Sequence, residues 1–147
     1  VFRKGTFASS ISKEPNKNNE IIVPLRLQAY ERMCLYLERI TPEHLLLRLT
    51  GQCETSLELQ QQMLHAIREE YNHNLAQQIY ITPATWESIK LAKDEIITLI
   101  NQVAATVPPT EPAITLAKKV MENYAELEQP LATRVIHSLK IEIQSLF

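Results

Sequence analysis

Glycine is almost missing from this chain: two of its 147 residues are glycine, Gly5 in a polar leader and Gly51 in the body. A Walker loop, a dinucleotide fingerprint and a nucleophile elbow all place glycines where the backbone turns sharply or touches a phosphate. None of them can be written here. Cysteine is scarce as well. Cys34 and Cys53 are the only two, and they form no C-x-x-C pair. Cys34 falls on an apolar stripe and reads as a small core hydrophobe, a usage that suits a reducing compartment. Long apolar runs are also lacking. The longest run free of charged residues and histidine, 96–110, contains Asn101, Gln102, Pro108 and Pro109, which makes it too short and too polar to span a bilayer. Nor does one sign of charge dominate: the formal net charge is −2, so no global basic field exists to collect nucleic acid.

What is present is an ordinary globular composition, 45% apolar and 22% charged, enough for one domain with a real core. The charge is uneven. Residues 1–20 hold Arg3, Lys4, Lys13 and Lys17 against Glu14 and Glu20, with serines, asparagines and Pro15 and no sustained period. They read as a flexible, weakly basic arm before a mildly acidic body.

From Val23 the apolar residues recur at helical spacing. Val23, Leu27, Tyr30, Cys34 and Leu37 form one stripe, predicting a helix over about 24–40 with Pro24 in its first turn. Thr41-Pro42-Glu43 has the form of an N-cap, a first helical residue and an acidic first turn. The short helix that follows carries Leu45, Leu46, Leu47 and Leu49; apolar nearly all round, it is expected to be buried. Thr55 and Glu58 have capping-box spacing and open a third helix with Leu57, Met63, Leu64, Ile67, Tyr71, Leu75 and Ile79 as its apolar positions, ending near Ile81. Thr82-Pro83 repeats the device of Thr41-Pro42. It starts the longest stripe, Trp86, Ile89, Ala92, Ile96, Leu99, Ile100 and Val103, which Pro108 and Pro109 close. Thr110-Glu111-Pro112 starts a helix through Ile114, Ala117, Val120, Met121, Tyr124 and Leu127, and Pro130 opens a last one through Val135, Ile136, Leu139, Ile143 and Leu146. The expected fold is all-α: an arm at 1–20, an antiparallel bundle of about four helices at 21–107, and a C-terminal helical hairpin at 108–147 that either docks on the bundle or projects from it.

The most enzyme-like constellation is His65, Glu69 and His73, spaced i, i+4, i+8, with Glu70 three residues before His73. A carboxylate-bridged di-iron bundle needs two Glu-x-x-His elements and two more inward Glu residues, and the second element is missing. Solvated side chains in i, i+4 contact account for the pattern more simply than a mononuclear metal site does. Ser138 adjoins His137, which on a helix points the two apart. Arg26, Arg32 and Arg39 are interleaved with Glu31 and Glu38 and read as a solvated face rather than a phosphate track. Met121, Tyr124, Leu127, Ile136 and Leu139 have few obvious partners in the sequence. With the hairpin undocked, they would form a partner-helix or self-association surface.

The run Val23-Pro24-Leu25-Arg26-Leu27-Gln28-Ala29-Tyr30-Glu31-Arg32, continued by Leu37-Glu38-Arg39-Ile40 and Leu45-Leu46-Leu47-Arg48, resembles an uncharacterised family of small helical proteins from Bacteroidota. The run Ile67-Arg68-Glu69-Glu70-Tyr71-Asn72-His73-Asn74-Leu75-Ala76-Gln77-Gln78, with Trp86 and Ala92-Lys93, carries the same resemblance. The likeness covers roughly 23–103. It implies an N-terminal membrane helix upstream of a basic stretch, with residues 1–20 as juxtamembrane linker, and a positive segment beside a span favours a cytoplasmic body. The expected function is therefore a non-enzymatic helical interaction domain. It would be an accessory subunit of a larger assembly at the cytoplasmic face of the inner membrane, with protein partners or further copies of itself and no cofactor. Arg26, Arg32, Glu69, Glu70, Met121, Tyr124 and Ile136 are the candidate contact residues. Two alternatives stand beside it: a metal-binding bundle protein or enzyme using His65, Glu69, Glu70 and His73, and an RNA- or ribosome-associated protein.

Overall fold

The computed structural model describes residues 17–146; residues 1–16 of the expected arm, with Arg3, Lys4 and Lys13, lie outside it. The chain is all-α. Helix α1 spans Lys17–Ile40, α2 Pro42–Leu49, α3 Ser56–His73, α4 Pro83–Ala104, α5 Ala113–Ala125 and α6 Leu131–Gln144, with short 3-10 segments at Thr50–Gln52 and Leu75–Tyr80. Among the described residues the only β-type pairing is an isolated bridge between Thr55 and Pro112.

The first helix starts earlier than its apolar stripe predicts. Residues 17–23 are helical, so Pro24 sits inside α1 rather than in its first turn. An interior proline removes one intrahelical hydrogen bond and crowds the carbonyl four residues earlier. Here only two turns precede it, and Pro24, Ile21 and Ile22 are exposed, so the disrupted turn opens onto solvent. The third helix is shorter than expected. It ends at His73, where the Asn74 side-chain amide donates to the Glu70 carbonyl at 2.7 Å, and the chain continues as a 3-10 segment. Its buried face keeps Met63 and Ile67 of the predicted stripe but takes Leu59 in place of Leu57. Leu59, Met63 and Ile67 are fully buried, whereas Leu57 is exposed and Ile79 is 75% exposed.

Helix α4 matches its sequence stripe: Trp86, Ile89, Ala92, Ile96, Leu99, Ile100 and Val103 are all buried. The C-terminal pair docks. Helix α6 packs along α1 and α4, while α5 packs on α3, α4 and α2. Ala113, Leu116, Ala117, Val120, Ala132, Val135, Ile136 and Leu139 join a single core with the earlier helices. Two carboxylates fasten α6 at its ends. Glu95 of α4 accepts from the Leu131 N–H at 2.9 Å, satisfying one of the orphan donors of the first turn of α6. Near the other end, Glu142 accepts from the Tyr30 hydroxyl at 3.0 Å with Oε1 and from the Thr85 hydroxyl with Oε2, joining α6 to α1 and α4.

The joint between α4 and α5 is built on α3. The Ser56 N–H donates to the Glu111 carbonyl at 2.7 Å and the Leu57 N–H to the Pro109 carbonyl at 3.2 Å, while the Ala113 N–H returns a bond to the Glu54 carbonyl at 3.1 Å. The Ser56 hydroxyl adds a bond to the Pro112 carbonyl at 3.0 Å. Pro112 and Pro130 occupy the cap positions just before α5 and α6 rather than their first helical residues.

The threonine caps differ in kind. Thr55 accepts from the Glu58 N–H at 3.2 Å, and Glu58 reaches back to the Glu54 N–H at 3.1 Å. Thr82 accepts from the Thr85 N–H at 3.3 Å. Thr41 does not cap: its hydroxyl pairs with the Glu38 carbonyl and His44 Nδ1. Thr55→Ala and Thr82→Ala should each lower stability by about 1 kcal/mol in denaturant titrations, and Thr41→Ala should cost less than either.

Candidate functional site

Two surfaces of the described residues stand out, a polar seam and an apolar groove. The first is a polar seam where α1 faces α3. Antiparallel packing sets Arg39 of α1 opposite Glu70 of α3: Nε and Nη2 of Arg39 donate to Glu70 Oε1 at 3.0 and 2.6 Å. Arg48, at the end of α2, brings its Nη2 to 3.7 Å from the same oxygen and donates from Nη1 to the Arg39 carbonyl at 3.2 Å. Glu70 Oε2 is buried and makes no hydrogen bond. The bond to Glu70 raises the Arg39 pKa, while burial, followed by the nearby Arg39 charge, lowers that of Arg48. One carboxylate thus holds two guanidinium groups.

Further along the seam, Arg32 donates from Nε to Asn74 Oδ1 at 3.3 Å and Arg26 donates from Nε to the Tyr80 carbonyl at 3.4 Å. These arginines therefore fix the connection between α3 and α4, although the arginine at 32 stays on the surface. Glu69 and His73 form an exposed i, i+4 pair at 3.4 Å. His65 is exposed one turn before Glu69. Among the described residues no group of three or more His, Cys, Asp or Glu side chains is placed to hold a metal ion, and Glu70, the fourth member of the expected set, is engaged by Arg39.

Behind the seam lies an aromatic series. The Tyr36 ring is 6.1 Å from that of Tyr71, which is 5.7 Å from Trp86, and the Lys93 ammonium sits 4.2 Å over Tyr71. The Tyr36 hydroxyl donates to the Ile67 carbonyl at 3.1 Å. Burial above all, then the charge of Glu70, pushes the Tyr36 phenol far above its ordinary pKa. Burial likewise raises the thiols of Cys34 and Cys53, which holds back the thiolate a nucleophile would need.

The second surface is a groove of about 560 Å³ between α2 and α5. Leu46, Leu47 and Thr50 form one wall and Ile114, Ala117 and Met121 the other; Glu43, Lys118 and Glu122 stand on the rim. Leu47 is 79% exposed, the most open of the large apolar side chains among the described residues, against the expectation that α2 would be buried. Helix α5 turns inward on Ala113, Leu116, Ala117 and Val120, which leaves Ile114 and Met121 outside.

Of the candidate contact residues at the C-terminus, Met121 lines this groove and is 38% exposed. Tyr124 is half-buried with a buried, unbonded hydroxyl, and burial raises its pKa. Ile136 has to be withdrawn as a contact residue. It is buried in the core that α6 makes with α1 and α4, because the hairpin folds back. Sequence periodicity missed Arg39, Arg48 and Asn74 in the seam and Leu47, Ile114 and Lys118 in the groove. The arginine nearest a carboxylate in space is 31 residues from it in the chain, a separation that no local pattern records.

The chain belongs to the family of unknown function DUF7935, whose model matches residues 3–146. The family therefore extends past the 23–103 segment of the resemblance and includes the hairpin. Neither the comparison with curated proteins nor that with solved structures gives a match.

The buried phenol of Tyr36 has a consequence for alkaline stability. Tyrosine in the unfolded chain ionises near pH ~10, whereas Tyr36 in the folded chain keeps its proton well beyond that. Above this pH the unfolded state holds fewer protons than the folded one, so stability fully present below about pH 10 is lost as pH rises. Denaturation midpoints measured from pH 8 to about 11 should fall at the alkaline end. Tyr36→Phe should show a shallower fall and, lacking the bond to the Ile67 carbonyl, a lower midpoint at neutral pH.

Proposed function

We propose that this chain is a non-enzymatic helical interaction domain that serves as an accessory or scaffold subunit of a larger assembly. The observation that carries the reading is the α2–α5 groove, where an apolar trough is left open beside the core that the helices share. Leu47, Ile114 and Met121 give it three exposed apolar side chains, and an apolar trough with a polar rim is the form in which globular domains take up a partner helix. The other chemistry of the described residues fits the same reading. Glu70 is engaged by two arginines in tying α1 and α2 to α3, and both thiols are held in their neutral form by burial.

The reading also sets the domain beside a membrane, at the cytoplasmic face of the inner membrane of a Bacteroidota bacterium. The resemblance stated above and the basic leader of Arg3, Lys4, Lys13 and Lys17 support this. Lys and Arg near an anionic surface each contribute about 1 kcal/mol. Among the described residues no helix is long and apolar enough to cross a membrane, so the tether is assigned to a segment outside them.

The test is cross-linked capture in cells that express the chain from its native locus. Wild type should hold a protein, another chain or a second copy, that Leu47→Glu and Ile114→Glu release while keeping the wild-type helical content and melting point. Retention of every cross-linked species by both variants would overturn the interaction reading. Fractionation of the same cells tests the tether separately: the chain should follow the membranes, and finding it wholly in the soluble fraction removes that part.

A further inference from the structure

The apolar run Ile21-Ile22-Val23-Pro24-Leu25 stays out of the core. From Glu20 to Gln28 no residue of α1 is buried, and Ile21 is 62% exposed and Ile22 45%. Two helical turns without packing are marginal on their own, and Pro24 lacks the N–H that would bond back across them. A third isoleucine stands beside them. Ile79, the most exposed apolar side chain of the 3-10 segment Leu75–Tyr80, shares with Ile22 a hollow of about 240 Å³ that Arg26, Tyr80, Ile81 and Thr82 also line. The hollow is smaller than the ~300–1,000 Å³ of small-molecule clefts. It also lacks the paired helix walls that seat a partner helix, since one side is the start of α1 and the other the connection into α4. Charge singles out this end of the bundle as well. The chain as a whole carries −2, yet residues 1–20, which lead directly into Ile21, hold Arg3, Lys4, Lys13 and Lys17 against Glu14 and Glu20.

We propose that this end of the folded domain lies on an anionic lipid bilayer, with Ile21, Ile22 and Ile79 inserted between headgroups and acyl chains and the basic leader set against the headgroup charge. The proposal rests on the membrane part of the reading above and gives the domain a lipid contact of its own. Surface-lying segments combine an apolar face with Lys and Arg beside it, and both are here. At about 100° per residue, Ile21, Leu25 and Ile22 share one arc of α1, while Glu20 falls outside it. Tyr80 and Arg26, at the edge of the hollow, carry apolar bodies with polar ends, the side-chain type suited to that boundary. Among the described residues no helix can cross a membrane, so the contact is superficial. Helix α2 begins at the opposite end of α1, about 30 Å from Ile22 at 1.5 Å per residue. The α2–α5 groove therefore stays clear of the lipid and open to a protein.

Co-sedimentation of the full chain with vesicles tests this. Wild type should bind vesicles of equal parts phosphatidylglycerol and phosphatidylcholine, release them as salt rises, and bind phosphatidylcholine alone far more weakly. Ile79→Ser and Ile22→Ser should each weaken binding by about tenfold, with circular dichroism and melting unchanged because both side chains are exposed. Position is read separately by fluorescence: Ile79→Trp should shift its emission to the blue on the anionic vesicles, and Leu47→Trp, in the groove, should not. Four results would overturn the proposal: no binding to anionic vesicles at low salt, equal binding to phosphatidylcholine alone, binding indifferent to both serine variants, or an unmoved Ile79→Trp emission. A chain that follows the membranes in cells yet ignores anionic vesicles would refute this contact and leave the tether standing. Loss of a cross-linked protein in Ile79→Ser, without vesicle binding by wild type, would assign the end to a protein and overturn the lipid contact.

Discussion

The first turn of any helix leaves backbone donors without an intrahelical partner, and in this fold the answer given at α3 organises everything after it. Ser56 and Leu57 hand their N–H groups to the carbonyls of Glu111 and Pro109. Those acceptors come from a segment that contains Pro108, Pro109 and Pro112, and proline offers a carbonyl while bringing no N–H of its own to satisfy. The joint is therefore rich in acceptors and poor in donors, which is what a helix N-terminus requires. Holding the joint there fixes where α5 begins, and the Ala113 N–H closes the contact by returning to Glu54. From that start α5 runs across α3 and α4, and α6 reaches the cleft between α1 and α4, where Glu95 receives its first turn and its own Glu142 is met by Tyr30 and Thr85. Had the joint been a flexible glycine-rich loop, nothing local would decide between a docked and a projecting hairpin.

How well each helix could be read from sequence follows from how one-sided its environment is. Helix α4 is flanked by α3, α5, α6 and α1, so its long stripe is buried throughout and periodicity alone recovers it. Helix α3 is harder. Leu57 and Leu64 lie on one side of it and Leu59 on another, and choosing the inward set needs knowledge of where the joint and α5 approach; the structure buries Leu59 and exposes Leu57. The end of α3 is not readable from periodicity, because Leu75 and Ile79 keep the apolar spacing after the α-helical hydrogen bonds have stopped at Asn74. The early start of α1 was hidden by Pro24, whose usual place is a first turn.

The seam and the groove were legible in different measure. Arg26, Arg32, Glu69 and Glu70 could be marked as surface polar residues, and the structure separates them by task. Glu70 is drawn in against two arginines, Arg26 and Arg32 secure the connection into α4, and Glu69 remains in solvent with His73. That division depends on α1 lying antiparallel to α3, a tertiary fact. The groove left only half a trace. Met121 stands out in the sequence for lack of partners, whereas Leu47 is hidden among leucines whose number suggests burial. Excess apolar surface on α2 was visible in the sequence; the side on which it goes uncovered was not.

Trp86 is the chain's single tryptophan. It is 7% exposed, its ring 5.7 Å from Tyr71 at the start of α4, and it has no place in the α2–α5 groove. Its indole is thus a native optical reporter with one address. Its emission records whether α3 and α4 are still joined and carries no tyrosine-to-tryptophan ambiguity between sites. A change in that signal marks loosening of the bundle itself, and a change of mass without it marks an event at the surface. The chain carries within it the control that separates unfolding from association, and no added label is needed to use it.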